Sequence, residues 1–318
     1  MVDPSEGRED VRQPDCPPAM HRPVMHRPVM LAEVLDLLCP EPGQKALDLT
    51  LGTGGHALAL AERLGPDGLL VAMDADPTAL EIAHGPLTQA APCPVRLVHA
   101  RFSKAIGLVS EGPFDVVLAD LGMGHQIDDP ARGFSFESGA RLDMRFDPEA
   151  GGPSAWDVVN RLGERELAEL FHELGQERYS RAMAAAICRR RRTAPIDTPA
   201  ELAELAKLVV ARRSRRGHTW RTHPATRIAM ALRIYVNREQ EELDAMLEVL
   251  PQLIVPGGRA AVLTYHSLEA RRVKRAWRRQ AAEGLIELIN RRVLKPSDKE
   301  TAGNRRARSA QLRGTRKL

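Results

Sequence analysis

Residues able to do chemistry gather first in DLTLGTGGH, where Asp48, Gly52, Gly54, Gly55 and His56 follow a short apolar run and precede helical spacing. Glycines at a strand-to-helix turn allow positive φ and let a ligand lie against main chain that a Cβ would obstruct. Alone, such a turn fits either a nucleotide-like ligand or a tight connection. Asp74 narrows the choice. It ends the next apolar run, LLVAMD, twenty residues after Gly54, the position from which a carboxylate accepts hydrogen bonds from ribose hydroxyls. A third acid, Asp120, ends VVLAD. Together these residues suit an adenosine-bearing ligand held among carboxylates.

The glycine spacing separates the adenosine ligands. A pyrophosphate calls for G-x-G-x-x-G, with the phosphates on a helix N-terminus. Here G-T-G-G-H lacks the third glycine, and no P-loop Lys or Ser/Thr follows. A nicotinamide-dependent oxidoreductase is thereby disfavoured. S-adenosylmethionine carries no phosphate, only a carboxylate, an ammonium and a sulfonium cation, so a shorter glycine turn flanked by acids suits it. Phe102, after a third apolar run, either covers an adenine face or is plain core.

The elements that must position these residues show in the periodicity. Runs at 45–51, 69–75, 95–100 and 114–121 read as strands, separated by segments of helical spacing. Strand–helix alternation predicts an α/β fold, a Rossmann-like, doubly wound parallel sheet. The rhythm stops after residue 122. Residues 130–225 predict a helical insertion, a candidate substrate-recognition domain, and GRAAVLTY at 258–265 predicts a fifth strand after one long helix beginning at ATRIAM. The sheet domain is then discontinuous, 21–129 with 226–318. Residues 1–20, rich in proline and charge, predict a disordered leader, and HRPVM at 21–25 repeats unchanged at 26–30.

At 318 residues, 43% apolar and 28% charged, the chain predicts a globular protein with a sizeable core. No apolar run is long enough to span a membrane, and no signal peptide is legible, so a cytoplasmic location is expected. Cys16, Cys39, Cys93 and Cys188 form no C-x-x-C pair, so neither a zinc site nor a disulfide framework is expected. The net charge of +4 conceals an asymmetry: residues 271–318 hold 16 Lys plus Arg against 4 Asp plus Glu. Such a block fits either a nucleic-acid partner or a solvated tail.

Read in order, HRPVMLAEVLDLL, DLTLGTGGH, DADPTAL, ARFSKA, DLG, RGFSF, RLDMRFD, HPATRIAMALRIYVNRE, YHSLEARRVK and PSDKETAGNRRARSAQLR resemble the RsmH (MraW) family of 16S ribosomal RNA cytosine-N4 methyltransferases. The resemblance runs from about His26 to Arg313. It implies S-adenosylmethionine as cofactor, contacted by Gly54, Gly55, His56, Asp74, Phe102, Asp120 and Gln126. It implies 16S rRNA within the 30S subunit as partner; monomer and homodimer both stay open. Asp120 and His266 are the candidate catalytic residues, Asp120 either drawing the amine proton or only binding the methionine ammonium. Phosphate grip is expected from Arg189, Arg190, Arg212, Arg213, Arg305, Arg306 and Arg308, with Arg191, Arg192, Arg215, Arg216, Arg313, Arg316 and Lys317 beside them. Phe134, Phe136 and Tyr265 are the aromatic residues available for stacking a base.

Two departures stand out. The family pattern DLGVSSPQLD reads DLGMGHQID here, with Gly124 and His125 where the serines and proline are absent, and the family's S-F-H-S-L-E-D-R reads Thr264 to Arg271 with Ala270 for the acid. The first loop borders the expected reaction centre, so a retargeted or non-catalytic RNA-binding paralogue acting in ribosome assembly is the alternative.

Overall fold

The computed structural model describes residues 27–123, 126, 129–213 and 222–318. The leader, the first HRPVM copy, Gly124, His125, Arg215 and Arg216 lie outside the described residues.

The sheet half begins with α1 (Leu31–Leu38), β1 (Lys45–Asp48), α2 (Gly55–Leu64), β2 (Leu69–Asp74), α3 (Pro77–Ala90), β3 (Val95–His99), the short α4 (Ala105–Leu108) and β4 (Phe114–Asp120). A helical group follows: α5 (Ala155–Arg161), α6 (Glu164–Glu173), α7 (Ser180–Arg190), α8 (Pro199–Ala211) and α9 (Thr226–Asn237). The chain then returns through α10 (Glu239–Leu253), β5 (Ile254–Thr264), α11 (Ser267–Ala282), β6 (Ile286–Leu288), α12 (Asp298–Gly303) and β7 (Gln311–Lys317).

The seven strands form one sheet in the order β3-β2-β1-β4-β5-β7-β6. β1 to β5 are parallel, whereas β7 runs antiparallel between β5 and β6. The buried runs of β2 and β4 are nearly continuous, as expected for strands covered on both faces. One face packs on α1, α2 and α3, the other on α10 and α11. Strand order reverses between β1 and β4, so the crevice that binds ligands in open α/β sheets lies at their carboxyl ends.

The five sequence-read strands are present, but β6 and β7 were not anticipated. Half of the tail cations expected to grip phosphate lie in sheet: Arg313, Arg316 and Lys317 are in β7, where Arg316 pairs with Glu287 (2.8 Å) and Lys317 Nζ donates to the Ile254 carbonyl (2.8 Å). Among its polar neighbours Leu312, Gly314 and Thr315 are buried. Charge concealed the strand pattern.

The expected single helix from residue 225 onward is two helices. Arg238, at φ 54°, ends α9 and begins α10. The cause is Asn237, whose amide donates to the Met144 carbonyl (2.8 Å) while its Oδ1 accepts from the Phe146 N–H (2.7 Å). α9 also belongs to the core of the helical group, supplying Ile228, Ala231, Leu232 and Val236, so that core extends beyond residue 225.

Asn237 is one of several stitches joining the helical group to the carboxyl edge of the sheet. Its backbone carbonyl accepts from Arg101 (2.6 Å), and Asp147 stands 3.2 Å from His99 at the end of β3. Helices and sheet edge therefore share one wall. That wall faces the crevice.

Candidate active site

The turn after β1 is shaped by side chains from neighbouring strands. Gly52 has φ +53° and donates its N–H to Asp74 Oδ2 (2.8 Å), so the end of β2 holds the glycine turn open. Gly54 has φ +84°, and a Cβ there would meet Ala83 and Leu87 of α3 at 3.3 Å. Glycine is required twice over, for backbone conformation and for close approach of α2 to α3.

Three carboxylates converge at the switch point. Asp48 is 1% exposed, and its Oδ1 accepts from the Thr50 N–H (3.0 Å). Its Oδ2 is buried without a hydrogen-bond partner among the described residues. Burial, reinforced by the nearby charges of Asp120 and Asp74, pushes Asp48 up to about 7. Asp74 is engaged by the Gly52 and Asp76 N–H groups. Asp120 closes β4, its own N–H donating to Thr50 Oγ1 (2.6 Å).

Asp120 is framed by two further groups. His56 Nδ1 lies 3.6 Å from Asp120 Oδ2, while His56 Nε2 is 3.0 Å from the Val29 carbonyl, which orients the ring. Tyr265, just after β5, lies beside Asp120, its phenol within electrostatic reach of that carboxylate. Burial, together with that neighbouring carboxylate, drives the phenol far above its usual range, so it is a fixed donor. A Cβ at Gly122 would strike the Tyr265 ring at 2.7 Å, so the glycine of DLG makes room for the tyrosine.

The other expected cofactor residues are arranged differently. Gly55 opens α2. Gln126 is buried, its amide donating to Asp76 Oδ2 (3.0 Å). Asp76, the N-cap of α3, is fully buried and receives Arg132 as well, at 3.1 Å. Gln126 and Arg132 thus lock the loop after β4 to the α3 N-terminus. Phe102 starts a short 3-10 turn and is partly buried against the core on the α10 side. Sequence reading missed Thr50, Asp76 and Arg132; only the Asp76-Pro77 cap signal was legible.

His266 stands at the start of α11. It is the N-cap of α11, accepting the Glu269 N–H at Nδ1 (3.5 Å), and its Nε2 stands 2.9 Å from Glu269 Oε1 but off the line of a hydrogen bond. Among the described residues no hydrogen bond or ion pair joins it to Asp120. Its ring is committed to starting the helix. Glu239, His266 and Glu269 bring ligand atoms within 4.8 Å of one another, yet Arg233 grips Glu239 through two bonds of 2.7 and 2.8 Å. That guanidinium already supplies the cation.

The arginines expected to grip RNA divide in two. Arg189, Arg212, Arg213, Arg305 and Arg308 are exposed. Arg190 donates to the Ala194 carbonyl (2.6 Å) and pairs with Glu201 (3.3 Å), while Arg191 caps the end of α5 through the Val159 and Leu162 carbonyls. Those two hold the helical group together. Arg306 is half-buried, its N–H bonded to Asn304. Phe134 is buried and stacks on Phe146, and Phe136 stacks on His223.

Residues 23–318 match the MraW methylase family. The chain belongs to that family. Ribosomal RNA small subunit methyltransferase H of Acidobacterium capsulatum is 42% identical over 294 residues, covering 90% of this chain and 96% of that one. The protein of the same name from Syntrophotalea carbinolica is 43% identical over 306 residues, again 90% and 96%. Among solved structures the likeness is remote. TrmN from Thermus thermophilus gives a TM-score of 0.43 at 17% identity, over 91% of this chain and 48% of that one. The family's S-adenosylmethionine fits what the chain offers: an unpartnered buried carboxylate oxygen, a glycine turn without phosphate-binding residues, and acids around a position for a cation.

The raised Asp48 gives a test of this electrostatic reading. Its unfolded value is near 3.8 and its folded value about 7. The group therefore contributes stability that is fully present below about 3.8 and is lost as pH rises through about 7. Ligand-free protein should lose roughly 1.4 kcal/mol from this group between about pH 6 and about pH 8. Asp48→Asn removes that loss, so the stability of the variant relative to wild type rises by the same amount over that interval. Urea melts at the two pH values check it; a constant difference would remove the buried-acid reading.

Proposed function

We propose that this chain transfers a methyl group from S-adenosylmethionine to the N4 amine of a cytosine in 16S rRNA, within the 30S subunit. The observation that carries the reading is the convergence of Asp48, Asp74 and Asp120 at the switch point, with Asp48 Oδ2 unpartnered. The relatives' name, ribosomal RNA small subunit methyltransferase H, supplies the substrate class. A cytoplasmic site of action accords with that substrate. No described helix is long and apolar enough to cross a membrane.

Bound S-adenosylmethionine supplies an electrophilic methyl group on a sulfonium. The glycine turn, Gly52 to Gly55, offers main chain to the ligand, and Asp74 lies at the strand end suited to ribose hydroxyls. Asp48 and Asp120 set a negative field that favours a cation. The cytosine amine is a weak nucleophile because its lone pair is conjugated into the ring, so the protein's work is to hold it in line and take an N–H proton. Asp120 is placed for that, with Tyr265 and His56 beside its carboxylate. The helical group beside the crevice is the substrate-recognition domain in this reading, with Arg189, Arg212, Arg213, Arg305 and Arg308 available to phosphates.

Tritium transfer from labelled S-adenosylmethionine to immature 30S subunits, followed by mapping of modified cytosines, tests the reading. No transfer above that of Asp120→Ala would sink it. The GMGH sequence after Leu121 favours a second reading, a non-catalytic assembly factor. RNA and cofactor binding without methylated product would select it.

A further inference from the structure

α11 carries two kinds of cationic residue. Its buried stripe, Glu269, Val273, Trp277 and Gln280, packs on the sheet. On the flank facing α10, Arg272 pairs with Asp244 and bonds Gln240, and Arg279 pairs with Glu248 and lies 3.8 Å from Glu283. These are packing contacts. Arg271, Lys274, Arg275 and Arg278 occupy the ridge opposite the buried stripe, at i, i+3, i+4 and i+7. All four are exposed, and none makes an ion pair among the described residues. Among the described residues Arg271 makes one hydrogen bond, to the Ser267 carbonyl, 3.2 Å within its own helix.

Like charges at these spacings repel, so such a ridge costs helix stability unless an anion lies along it. Arg313 of β7 extends the field: its Nε is buried without a partner among the described residues, and it stands close enough to Arg278 for their charges to oppose each other. The ridge also starts at the reaction centre. His266 caps the helix, and the preceding residue, Tyr265, lies beside Asp120.

We infer that the ridge of Arg271, Lys274, Arg275 and Arg278 is a docking track for the RNA sugar-phosphate backbone, leading to the Asp120 crevice. The inference rests on the RNA-methylating reading above and places one stretch of its substrate. Arg271 to Arg278 spans about 10 Å of helix axis, room for about three phosphates of a stacked strand. The contact carries charge and no base identity, so it positions RNA without specifying sequence. A solvated face would keep the same residues and grip nothing. The two differ in salt dependence.

The test uses the full chain with a labelled single-stranded oligoribonucleotide and, separately, 30S subunits. The fourfold variant Arg271→Gln, Lys274→Gln, Arg275→Gln, Arg278→Gln should bind the oligoribonucleotide at least about tenfold more weakly at low salt. Its slope of log affinity against log salt should fall by about 1.5–2, at roughly 0.7 per lost phosphate contact. Calorimetric affinity for S-adenosylmethionine should be unchanged, which shows the fold intact. Replacing the three ridge arginines by lysine should keep the wild-type slope, and Arg272→Gln with Arg279→Gln should leave it unaltered. An unchanged slope in the fourfold variant, with wild-type methyl transfer to 30S subunits, overturns the track while the enzymatic reading stands. Wild type that neither binds RNA nor methylates 30S subunits overturns both. Binding of wild type to anionic lipid vesicles but not to RNA overturns the track in favour of a membrane surface.

Discussion

Asp120→Asn should lower single-turnover methyl transfer by about a hundred- to ten-thousand-fold, the range lost when a positioned proton acceptor is removed. The substitution is nearly isosteric. Its backbone N–H keeps Thr50 Oγ1, and an amide of the same shape still fits beside Tyr265. What disappears is the negative charge and the capacity to take a proton from the cytosine amine. If Asp120 instead only anchors the methionine ammonium, the loss appears in cofactor affinity and vanishes at saturating S-adenosylmethionine. Comparing the single-turnover rate at saturation with the calorimetric Kd separates the two roles. A saturated rate within about threefold of wild type would exclude Asp120 as the proton acceptor; that ratio is only about 0.7 kcal/mol of barrier.

Arg132→Met should destabilise the protein by about 3–5 kcal/mol, because it strips the cation from a fully buried carboxylate. Asp76 accepts from Arg132 Nη1 (3.2 Å), lies 3.1 Å from Nη2, and also receives Gln126 and the Thr78 N–H. Arg132 in turn donates to the Arg145 and Phe146 carbonyls at 3.1 and 2.7 Å, so the loss reaches the helical group as well. The expected fall in Tm is about 5–7 °C at this chain length. Asp76→Asn in the same chain should restore much of it, since the uncompensated charge is then gone. The signature is thus an interaction between the two substitutions. Additive effects in the double-variant cycle would show that Arg132 acts by packing alone.

Local pattern made part of the site readable. The glycine turn, Asp74 and Asp120 sit at the ends of apolar runs, and an element's end is a local event that spacing reports. The partners of those residues were not readable. Gln126 joins Asp76 across 50 positions, and Arg132 joins it across 56, with nothing in either segment pointing to the other. Tyr265 is legible in sequence as an aromatic ring, whereas the nearness of its phenol to Asp120 is not. His266 looked like a base because histidines after strand ends often are. Its three-residue spacing to Glu269 is also that of a helix cap, the role it has in α11.

The sequence by itself determined the parallel strands β1 to β5, the helices between them and the acids at their carboxyl ends, because apolar periodicity and glycine conformations act over a few residues. Tertiary structure alone decided that the basic tail becomes β7, paired along its length with β5, and that Asn237 breaks α9 from α10 by reaching Met144 and Phe146. It also decided which cations are committed to a carboxylate or carbonyl, as Arg191 and Arg316 are, and which face solvent, as Arg275 does. The reason is common to all of these. An ionic or ladder partner tens or hundreds of positions away leaves no periodic trace, so a charge reads the same in sequence whether it is paired, buried or free until the chain has closed.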